Sequence, residues 1–432
     1  MTNKISSNRM TIFTRQILEF WRDAVSALQE MTPPNRWFHV FWLLGPLFML
    51  IERSPADAWI TICGLVFLVR AVIKRQIDWL NCFWVRAVFV FWGFCLLSSA
   101  LSDLPLYSLG EAFIWIRFPL FAMATCFWLG TDKRLLYAMV RITIFGMLVM
   151  SCILTAELLI VGQQGNRLSW PYGDLVPGNY LAKAALPAFT VLVALAVSKF
   201  HPFNQFAAAV SAFTILISVF TGERINFLLR ACGGMLAGLV WRPTLKRYLW
   251  LLFIEISAIL SVWAISPSIG NRFVHNFLES IPTNSQSPYF KVMQTGLIVF
   301  ERSPLLGIGT ANYRHLCVEK SQGVSNTVCQ NHPHNFYVQL LAEVGLLGSL
   351  SGCVMILGIL WYSIQTNIQG RTNLLAAVSF VIPLGLFFPL RSTADFFGQW
   401  NNSFMWSALA IALAARTVVK VDNSIRTTKH RG

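Results

Sequence analysis

The chain has 432 residues, of which 55% are apolar and only 12% are charged, and its formal net charge is +15. Soluble globular proteins carry about 25% charged residues, so this chain has too little polar surface to cover a water-soluble particle of its size. The composition excludes a soluble enzyme, a disordered scaffold and a secreted disulfide-rich domain, and it predicts a polytopic membrane protein. The basic residues lie in short connections and tails, so they indicate membrane topology rather than nucleic-acid binding.

Twelve apolar blocks predict an all-α chain with about twelve transmembrane helices, because about 20 helical residues cross the hydrocarbon layer. In chain order the blocks are 37–51, 56–73, 83–101, 112–129, 138–161, 178–198, 206–220, 225–241, 248–266, 335–361, 373–390 and 402–418. The first two are short and could form a shallow hairpin. No small-residue cleavage site follows the first block, so we expect it to remain as an uncleaved span.

The distribution of lysine and arginine predicts the orientation of these spans. One set of alternate connections and tails carries 22 of these residues, whereas the short connections on the other side carry four. Positive charge is retained on the cytoplasmic side, so both termini are expected in the cytoplasm. Cytoplasmic termini require an even number of spans, and twelve satisfies this.

Residues 267–333 break the alternation, because they form a long non-spanning segment on the far side between the ninth and tenth spans. Within this segment we expect an amphipathic helix over about 287–301. A loop of this length in a compact protein is usually functional. The predicted domains are therefore spans one to nine (1–266), a loop on the far side of the membrane (267–333), spans ten to twelve (334–418) and a basic cytoplasmic tail (419–432).

Two short motifs border the end of this loop. A glycine-rich turn reads Pro304-Leu305-Leu306-Gly307-Ile308-Gly309. The pair His334-Asn335 follows, and nine residues later comes Gly345-Leu346-Leu347-Gly348. From the residues alone, these are a tight turn and a histidine at the mouth of a span.

The order of these motifs resembles the O-antigen ligase and polymerase superfamily, whose members combine Pro-x-x-Gly-x-Gly with His-Asn, nine residues and Gly-x-x-Gly. The resemblance extends to twelve spans with one large periplasmic loop before the tenth. It implies a GT-C-like glycosyltransferase that moves O-antigen from undecaprenyl diphosphate to a sugar hydroxyl of lipid A–core. It implies no cofactor and no metal, and the chain contains no Asp-x-Asp pair.

The resemblance assigns the catalytic role to His334, since a histidine near neutral pH suits deprotonation of an acceptor hydroxyl. Without the surrounding motif, a helix-capping or buried, hydrogen-bonded histidine would be the simpler interpretation. His332 has no such motif support, and a structural or supporting role is expected for it. His332 and Asn335 are both kept as candidate substrate-binding residues.

Arg224, in the turn Thr221-Gly222-Glu223-Arg224, resembles the family's arginine between the seventh and eighth spans. Arginine suits a diphosphate leaving group, and the alternatives are an ion pair with Glu223 or a lipid headgroup contact. The chain departs from the family at Tyr289, where related ligases carry a second arginine. The candidates for the missing cation are Lys291, Arg272, Arg302, Arg314 and Arg391.

The loop also carries five residues of zinc-ligand types, namely His315, Cys317, Cys329, His332 and His334. Their spacing matches no tight zinc motif, so zinc binding is the less favoured interpretation. A disulfide between Cys317 and Cys329 is expected instead in the oxidising periplasm.

Three functions remain open at the level of the sequence. The first is an O-antigen ligase. The second is an O-antigen polymerase or a protein O-oligosaccharyltransferase, which shares the donor and differs in the acceptor. The third is a twelve-span secondary transporter, which is disfavoured by the absence of an internal repeat and by the scarcity of intramembrane acids.

Overall fold

The structure is a computed structural model that describes residues 21–162, 167–173, 176–198, 203–241, 245–265, 287–389 and 393–419. Over these residues the chain is all-helical, as predicted, and has no strand. Two of the predicted binding residues, Arg272 and Arg391, lie outside the described residues.

The first part of the chain forms helices joined by short connections. In order they are α1 (Pro33–Leu43), α2 (Gly45–Ile51), α3 (Arg53–Ile73), α4 (Phe83–Ala100), α5 (Pro105–Leu129), α6 (Lys133–Ile160), α7 (Val176–Ala184) and α8 (Leu186–Val197). A bend of 56° separates α7 from α8. Pro187, in the first turn of α8, explains the bend because it cannot donate the backbone hydrogen bond that would continue the helix.

The second part contains α9 (Asn204–Phe220), α10 (Arg224–Val240), α11 (Leu245–Ile265), α12 (Pro288–Arg302), α13 (Tyr313–Lys320), α14 (Phe336–Gln369), α15 (Leu374–Val378), α16 (Val381–Leu386) and α17 (Gln399–Val419). The predicted amphipathic helix corresponds to α12. Its boundary follows from Ser287, whose hydroxyl accepts a hydrogen bond from the backbone N–H of Tyr289 at 3.2 Å, with Pro288 in the first turn.

Six helices in the described part of the chain are long and apolar enough to cross a membrane, or seven if α7 and α8 form one bent span. The six are α3, α4, α5, α6, α14 and α17. Helices also occupy the remaining predicted blocks, but several are short: α9 has 17 residues, and the block at 373–390 is divided into α15 and α16. The protein is thus a multi-pass membrane protein, and a count of twelve crossings remains a prediction.

Helix burial distinguishes the centre of the bundle from its edge. In α17, 89% of the apolar window is buried within the protein, against 39% in α3 and in α6. The central helix α17 packs against α5 and α7, while α14 packs along α4. The last connection, residues 387–398, therefore leads directly into the middle of the bundle.

Candidate active site

Helix α14 is interrupted at Gly345, whose backbone has φ +65° and ψ −169°. A break of this kind leaves carbonyl groups before it and N–H groups after it without helical partners. The glycine-rich turn supplies these partners. The N–H groups of Ile308 and Gly309 donate to the carbonyls of Ala342 and Glu343 at 3.0 and 2.8 Å, and Leu346 N–H donates to Pro304 at 2.8 Å.

Close packing explains why glycines occur in both motifs. Gly307 has φ +72°, and a Cβ placed on it would lie 2.4 Å from the backbone of Glu343. A Cβ on Gly345 would lie 2.4 Å from the carbonyl carbon of Leu305. The Pro-x-x-Gly-x-Gly and Gly-x-x-Gly motifs therefore form one structural unit, in which the turn docks into the broken helix.

We expect Gly345→Ala to destabilise the protein strongly, because the new methyl group meets backbone atoms and the residue must keep a positive φ. Forced packing of this kind costs about 1–3 kcal/mol, and the left-handed backbone adds about 1–2 kcal/mol. The measurement is the thermal unfolding midpoint of purified protein in detergent. Gly93→Ala on α4 is the matched control, since a Cβ there has no heavy atom within 4 Å. Equal midpoints for the two variants would contradict the docked-turn explanation.

His334 lies immediately before α14, and its backbone is held in an unusual conformation. Its φ of +57° is uncommon for a residue other than glycine, and its carbonyl accepts a hydrogen bond from Thr393 N–H at 2.8 Å. The imidazole Nε2 lies 2.5 Å from Oε1 of Gln330. The Gln330 side chain and the backbone of Thr393 both hydrogen-bond the imidazole, so the ring is oriented from two sides.

His332 and Tyr289 pack against this imidazole. The ring centroids of the two histidines are 4.3 Å apart, and the ring of Tyr289 is 5.6 Å from that of His334, edge to face. Burial lowers the pKa of His334 below its usual value. Burial and the neighbouring His334 together lower the pKa of His332 to about 4. Both histidines are therefore neutral at pH 7, as a proton acceptor must be.

Asn335 is the N-cap of α14. Its Oδ1 accepts hydrogen bonds from the N–H groups of Tyr337 and Val338 at 2.9 and 3.3 Å, and its Nδ2 donates to the carbonyl of Pro389 at 2.8 Å. Asparagine is a favoured capping residue because its short side chain satisfies the first N–H groups of a helix. The asparagine of the His-Asn motif thus fixes the start of α14 directly beside the histidine.

Asp395 and Gln339, which sequence reasoning missed, link the last connection to α14. The Gln339 amide donates to Asp395 Oδ1 at 2.6 Å and to Glu343 at 3.2 Å, and Asp395 also pairs with Arg314. Arg314, one of the candidates for the missing cation, therefore already has a carboxylate partner. The network holds the segment that contains Thr393 against the two histidines.

Arg224 belongs to a second cluster, at the start of α10. Arg167 pairs with Glu223 at 2.6 Å, and Arg167, Lys183 and Arg224 all act on the Glu223 carboxylate with their positive charge. Burial raises the pKa of Glu223, and the three cations oppose that rise. Three cations around one carboxylate leave a net positive charge, so this cation cluster can attract an anion. Arg167 donates a hydrogen bond to Glu223, and Arg224 acts on the same carboxylate through its positive charge.

Lys183, on α7, is the most enclosed member of the cation cluster, with 2% of its surface exposed. Its Nζ donates to Oδ1 of Asn179 at 2.7 Å and to Oδ1 of Asn401 at 2.6 Å. A buried ammonium is costly unless such partners surround it. In the sequence this lysine was hidden inside an apolar block, and its charge in that block is the one signal that could have identified it.

The segment that carries Arg167 is fixed by the buried Glu157 of α6. The Glu157 carboxylate accepts the backbone N–H groups of Ser169 and Trp170 at 2.9 and 2.8 Å. Leu168 N–H donates to the carbonyl of Phe220 at 3.0 Å, which joins the segment to the end of α9. These bonds keep Arg167 beside Glu223.

A short chain of contacts connects the cation cluster with the histidine pair. Asn401 accepts a hydrogen bond from the Lys183 ammonium through Oδ1. Its Nδ2 donates to the backbone carbonyl of Asp395 at 2.9 Å. Two residues before Asp395, Thr393 donates to His334 and its carbonyl lies 3.2 Å from Nε2 of His332. Residues 393–398 thus contact the two histidines, and they reach Lys183 of the cation cluster through Asn401.

The remaining predicted residues lie on or near α12 and α13. Lys291 follows Tyr289 by two positions on α12 and is half-buried, and Arg302 ends that helix with a long contact to the Gln322 carbonyl at 3.5 Å.

Cys317 and Cys329 form the predicted disulfide, which ties α13 to the segment before the histidines. Neither sulfur is therefore a thiolate ligand for zinc, and the described residues contain no group of three or more potential metal ligands.

Residues 209–353 match the sequence model of the family described as O-Antigen ligase. The match covers about a third of the chain, and it includes Arg224, the glycine-rich turn, His334 and the helix break at Gly345. Over these residues the chain is similar to the O-antigen ligase superfamily. The family is glycosyltransferase-like, and its substrates are lipid-linked polysaccharides. A search of curated proteins finds no match to the chain.

Proposed function

We propose that the protein is an O-antigen ligase of the bacterial inner membrane, with its active site at the periplasmic face. The proposed reaction transfers O-antigen from undecaprenyl diphosphate to a sugar hydroxyl of lipid A–core. The observation that carries the proposal is His334, a buried histidine with a lowered pKa that is held at the mouth of α14 within the segment that matches the family.

In this reaction the acceptor oxygen attacks the anomeric carbon of the polysaccharide. A new glycosidic C–O bond forms as the bond to the diphosphate breaks, and undecaprenyl diphosphate leaves with the bonding electrons. The hydroxyl proton passes to the imidazole of His334, which acts as general base. A diphosphate is a good leaving group, so the mechanism needs no metal and no cofactor.

The cation cluster is the proposed binding site for the diphosphate. Arg224 offers a guanidinium fork that matches two phosphate oxygens, and Arg167 and Lys183 add charge on the same side. Arg167 and Lys183 together would replace the family's second arginine, whose position is Tyr289 here. The diphosphate then competes with Glu223 for the same cations, so Glu223 tunes donor affinity.

Supporting roles follow for the residues around His334. The rings of Tyr289 and His334 pack edge to face, which would help to orient the imidazole. His332 hydrogen-bonds the carbonyl of Thr393, and Asn335 caps the first turn of α14. Lys291 remains a candidate for the polysaccharide or the diphosphate. Arg272 and Arg391 remain candidates for the same role on the strength of the sequence alone.

An O-antigen polymerase or a protein O-oligosaccharyltransferase would use the same donor chemistry, and only the acceptor separates them. A secondary transporter is disfavoured because the sequence shows no internal repeat and few intramembrane acids. The ligase is favoured by the compact loop before the tenth predicted span and by its His-Asn, nine-residue, Gly-x-x-Gly sequence.

Deletion of the gene, followed by gel analysis of lipopolysaccharide, tests the proposal. Loss of a ligase is expected to leave lipid A–core without any O-antigen and to accumulate lipid-linked polymer. Core carrying a single repeat unit would instead identify a polymerase. An unchanged lipopolysaccharide pattern together with loss of glycosylated protein would identify a protein O-oligosaccharyltransferase.

A further inference from the structure

A cavity lies between α8, α9 and α11, apart from the histidine pair and the cation cluster. Its volume is about 290 Å³. Small side chains on α9, including Ala208 and Ala212, leave the space open, while Trp250 and Leu251 of α11 form the opposite wall. The cavity is a groove with an apolar wall on each side, open at the surface of the bundle.

The mouth of the groove is polar. Asn204 and Gln205 belong to the first turn of α9, and Arg247 belongs to the first turn of α11. The opposite end of α9, at Phe220, adjoins the turn that carries Glu223, so the mouth is at the end of the bundle away from the proposed active site. This is the end where the sequence predicts the cytoplasm and where most lysines and arginines occur.

Glu255 lies at the deep end of the groove, where Arg230 acts on it with its positive charge. Glu255 is 5% exposed, and its Oε1 accepts no hydrogen bond within the described residues. Eight residues of α11 separate Arg247 from Glu255, which corresponds to about 12 Å along the helix axis. An anionic group is therefore attracted to the mouth, where Arg247 supplies positive charge.

We propose that this groove binds one anionic phospholipid, with its phosphate at Arg247 and an acyl chain along α9. Basic pockets between membrane helices on the cytoplasmic side are suited to acidic headgroups, and the amides of Asn204 and Gln205 add hydrogen-bond donors beside Arg247. The chain lies against Ala208 and Ala212, where apolar surface is available for about 12 Å. The bound lipid would stabilise the packing of α9 against α11, and in this way it would support the turn after α9 that carries Glu223 and Arg224.

The test uses the full-length protein purified in mild detergent, with native mass spectrometry and thermal unfolding as readouts. Phosphatidylglycerol is expected to bind as one retained molecule and to raise the unfolding midpoint, whereas phosphatidylcholine and soluble glycerol 3-phosphate do not. Arg247→Gln is expected to weaken phosphatidylglycerol binding about tenfold, as loss of a charged hydrogen bond does. Lys246→Gln is the matched control, since the neighbouring lysine is exposed and does not line the groove.

A second variant addresses the chain rather than the headgroup. Ala208→Phe fills the groove from α9 and is expected to abolish retention of the lipid while leaving Arg247 in place. Equal phosphatidylglycerol binding by wild type, Arg247→Gln and Ala208→Phe would overturn the proposal. Equal stabilisation by glycerol 3-phosphate would overturn it in favour of a simple phosphate site, and equal binding of phosphatidylcholine would remove the role of charge. None of these readouts depends on ligase activity, so they are independent of the proposed function.

Discussion

Replacement of His334 by asparagine is expected to reduce the ligation rate constant by about 10²–10⁴-fold, the usual contribution of a general base. Asparagine is the informative substitution because it tolerates the left-handed backbone that His334 adopts at φ +57°, but it cannot take the hydroxyl proton. Alanine removes the base and adds backbone strain, so a similar loss in both variants separates chemistry from folding. The measurement is single-turnover transfer with purified protein, lipid-linked donor and core acceptor.

His332→Ala is the matched control for this experiment, because the same backbone segment carries both rings. We expect a much smaller loss, since His332 contacts the carbonyl of Thr393 and has no assigned proton transfer. Donor binding should be preserved in the His334 variants. Full ligation by His334→Asn would remove the general-base role whatever the motif suggests, and loss of activity in EDTA with recovery on adding zinc would make the histidines ligands instead.

The pH dependence gives a second readout of the same residue. A histidine with the usual pKa near 6.5 would be half protonated at pH 6.5. Burial lowers the pKa of His334, so the neutral form persists below that pH and is lost only as the pH falls through the lowered value. The rate should therefore persist to a lower pH than a histidine of usual pKa would allow, and decline as the pH falls further. Glu223→Gln should leave this decline in place, because the carboxylate is not the base.

Much of the fold was predictable from the sequence because apolar blocks and glycine motifs are local signals. Each predicted block contains a helix, and the helix at Pro288–Arg302 begins one residue after its capping serine, as the pattern of Ser287 and Pro288 indicates. The number of crossings could not be decided in the same way. Composition identifies an apolar helix, whereas the depth at which α9 or α16 sits depends on packing against other helices.

The candidate site was predictable only where a family motif marks it. His334 and Arg224 were found because their neighbours in the sequence are distinctive. Asp395, Gln339 and Lys183 were missed because their partners are distant in sequence: Gln339 and Asp395 are 56 residues apart, and Lys183 and Asn401 are 218 apart. Nothing in either local segment indicates such a pair, since the contact exists only after the helices have packed.

The helix break at Gly345 shows the same limit in a different form. The sequence predicts a continuous span through this position, and the spacing of glycines alone does not say that the helix is interrupted. The reason becomes visible only when the turn at 304–309 is seen to supply the missing backbone partners of Ala342, Glu343 and Leu346. A buried polar residue or a break in a helix is thus explained by its partner, and the partner lies elsewhere in the chain.

Arg224→Ala is expected to lower kcat/KM for the lipid-linked donor by about ten- to a hundredfold. Loss of a charged hydrogen bond at a partly dry site costs roughly 1.5–3 kcal/mol, which gives this range. Arg224→Lys should recover part of the activity, because lysine retains the charge and loses the two-pronged contact. Arg86→Ala removes an exposed arginine that is distant from Arg224 in the sequence, and it serves as the control for a general effect of charge.

Competition by undecaprenyl diphosphate then separates a diphosphate site from a lipid headgroup contact. If Arg224 binds the diphosphate, its alanine variant requires a higher concentration of this product for inhibition, and undecaprenyl monophosphate shows a smaller difference. Glu223→Gln should act in the opposite direction, since it removes the carboxylate that competes for Arg167, Lys183 and Arg224 and so tightens product binding. Unchanged inhibition in both variants, at matched protein levels, would show that the cation cluster contacts headgroups and that the donor diphosphate binds elsewhere.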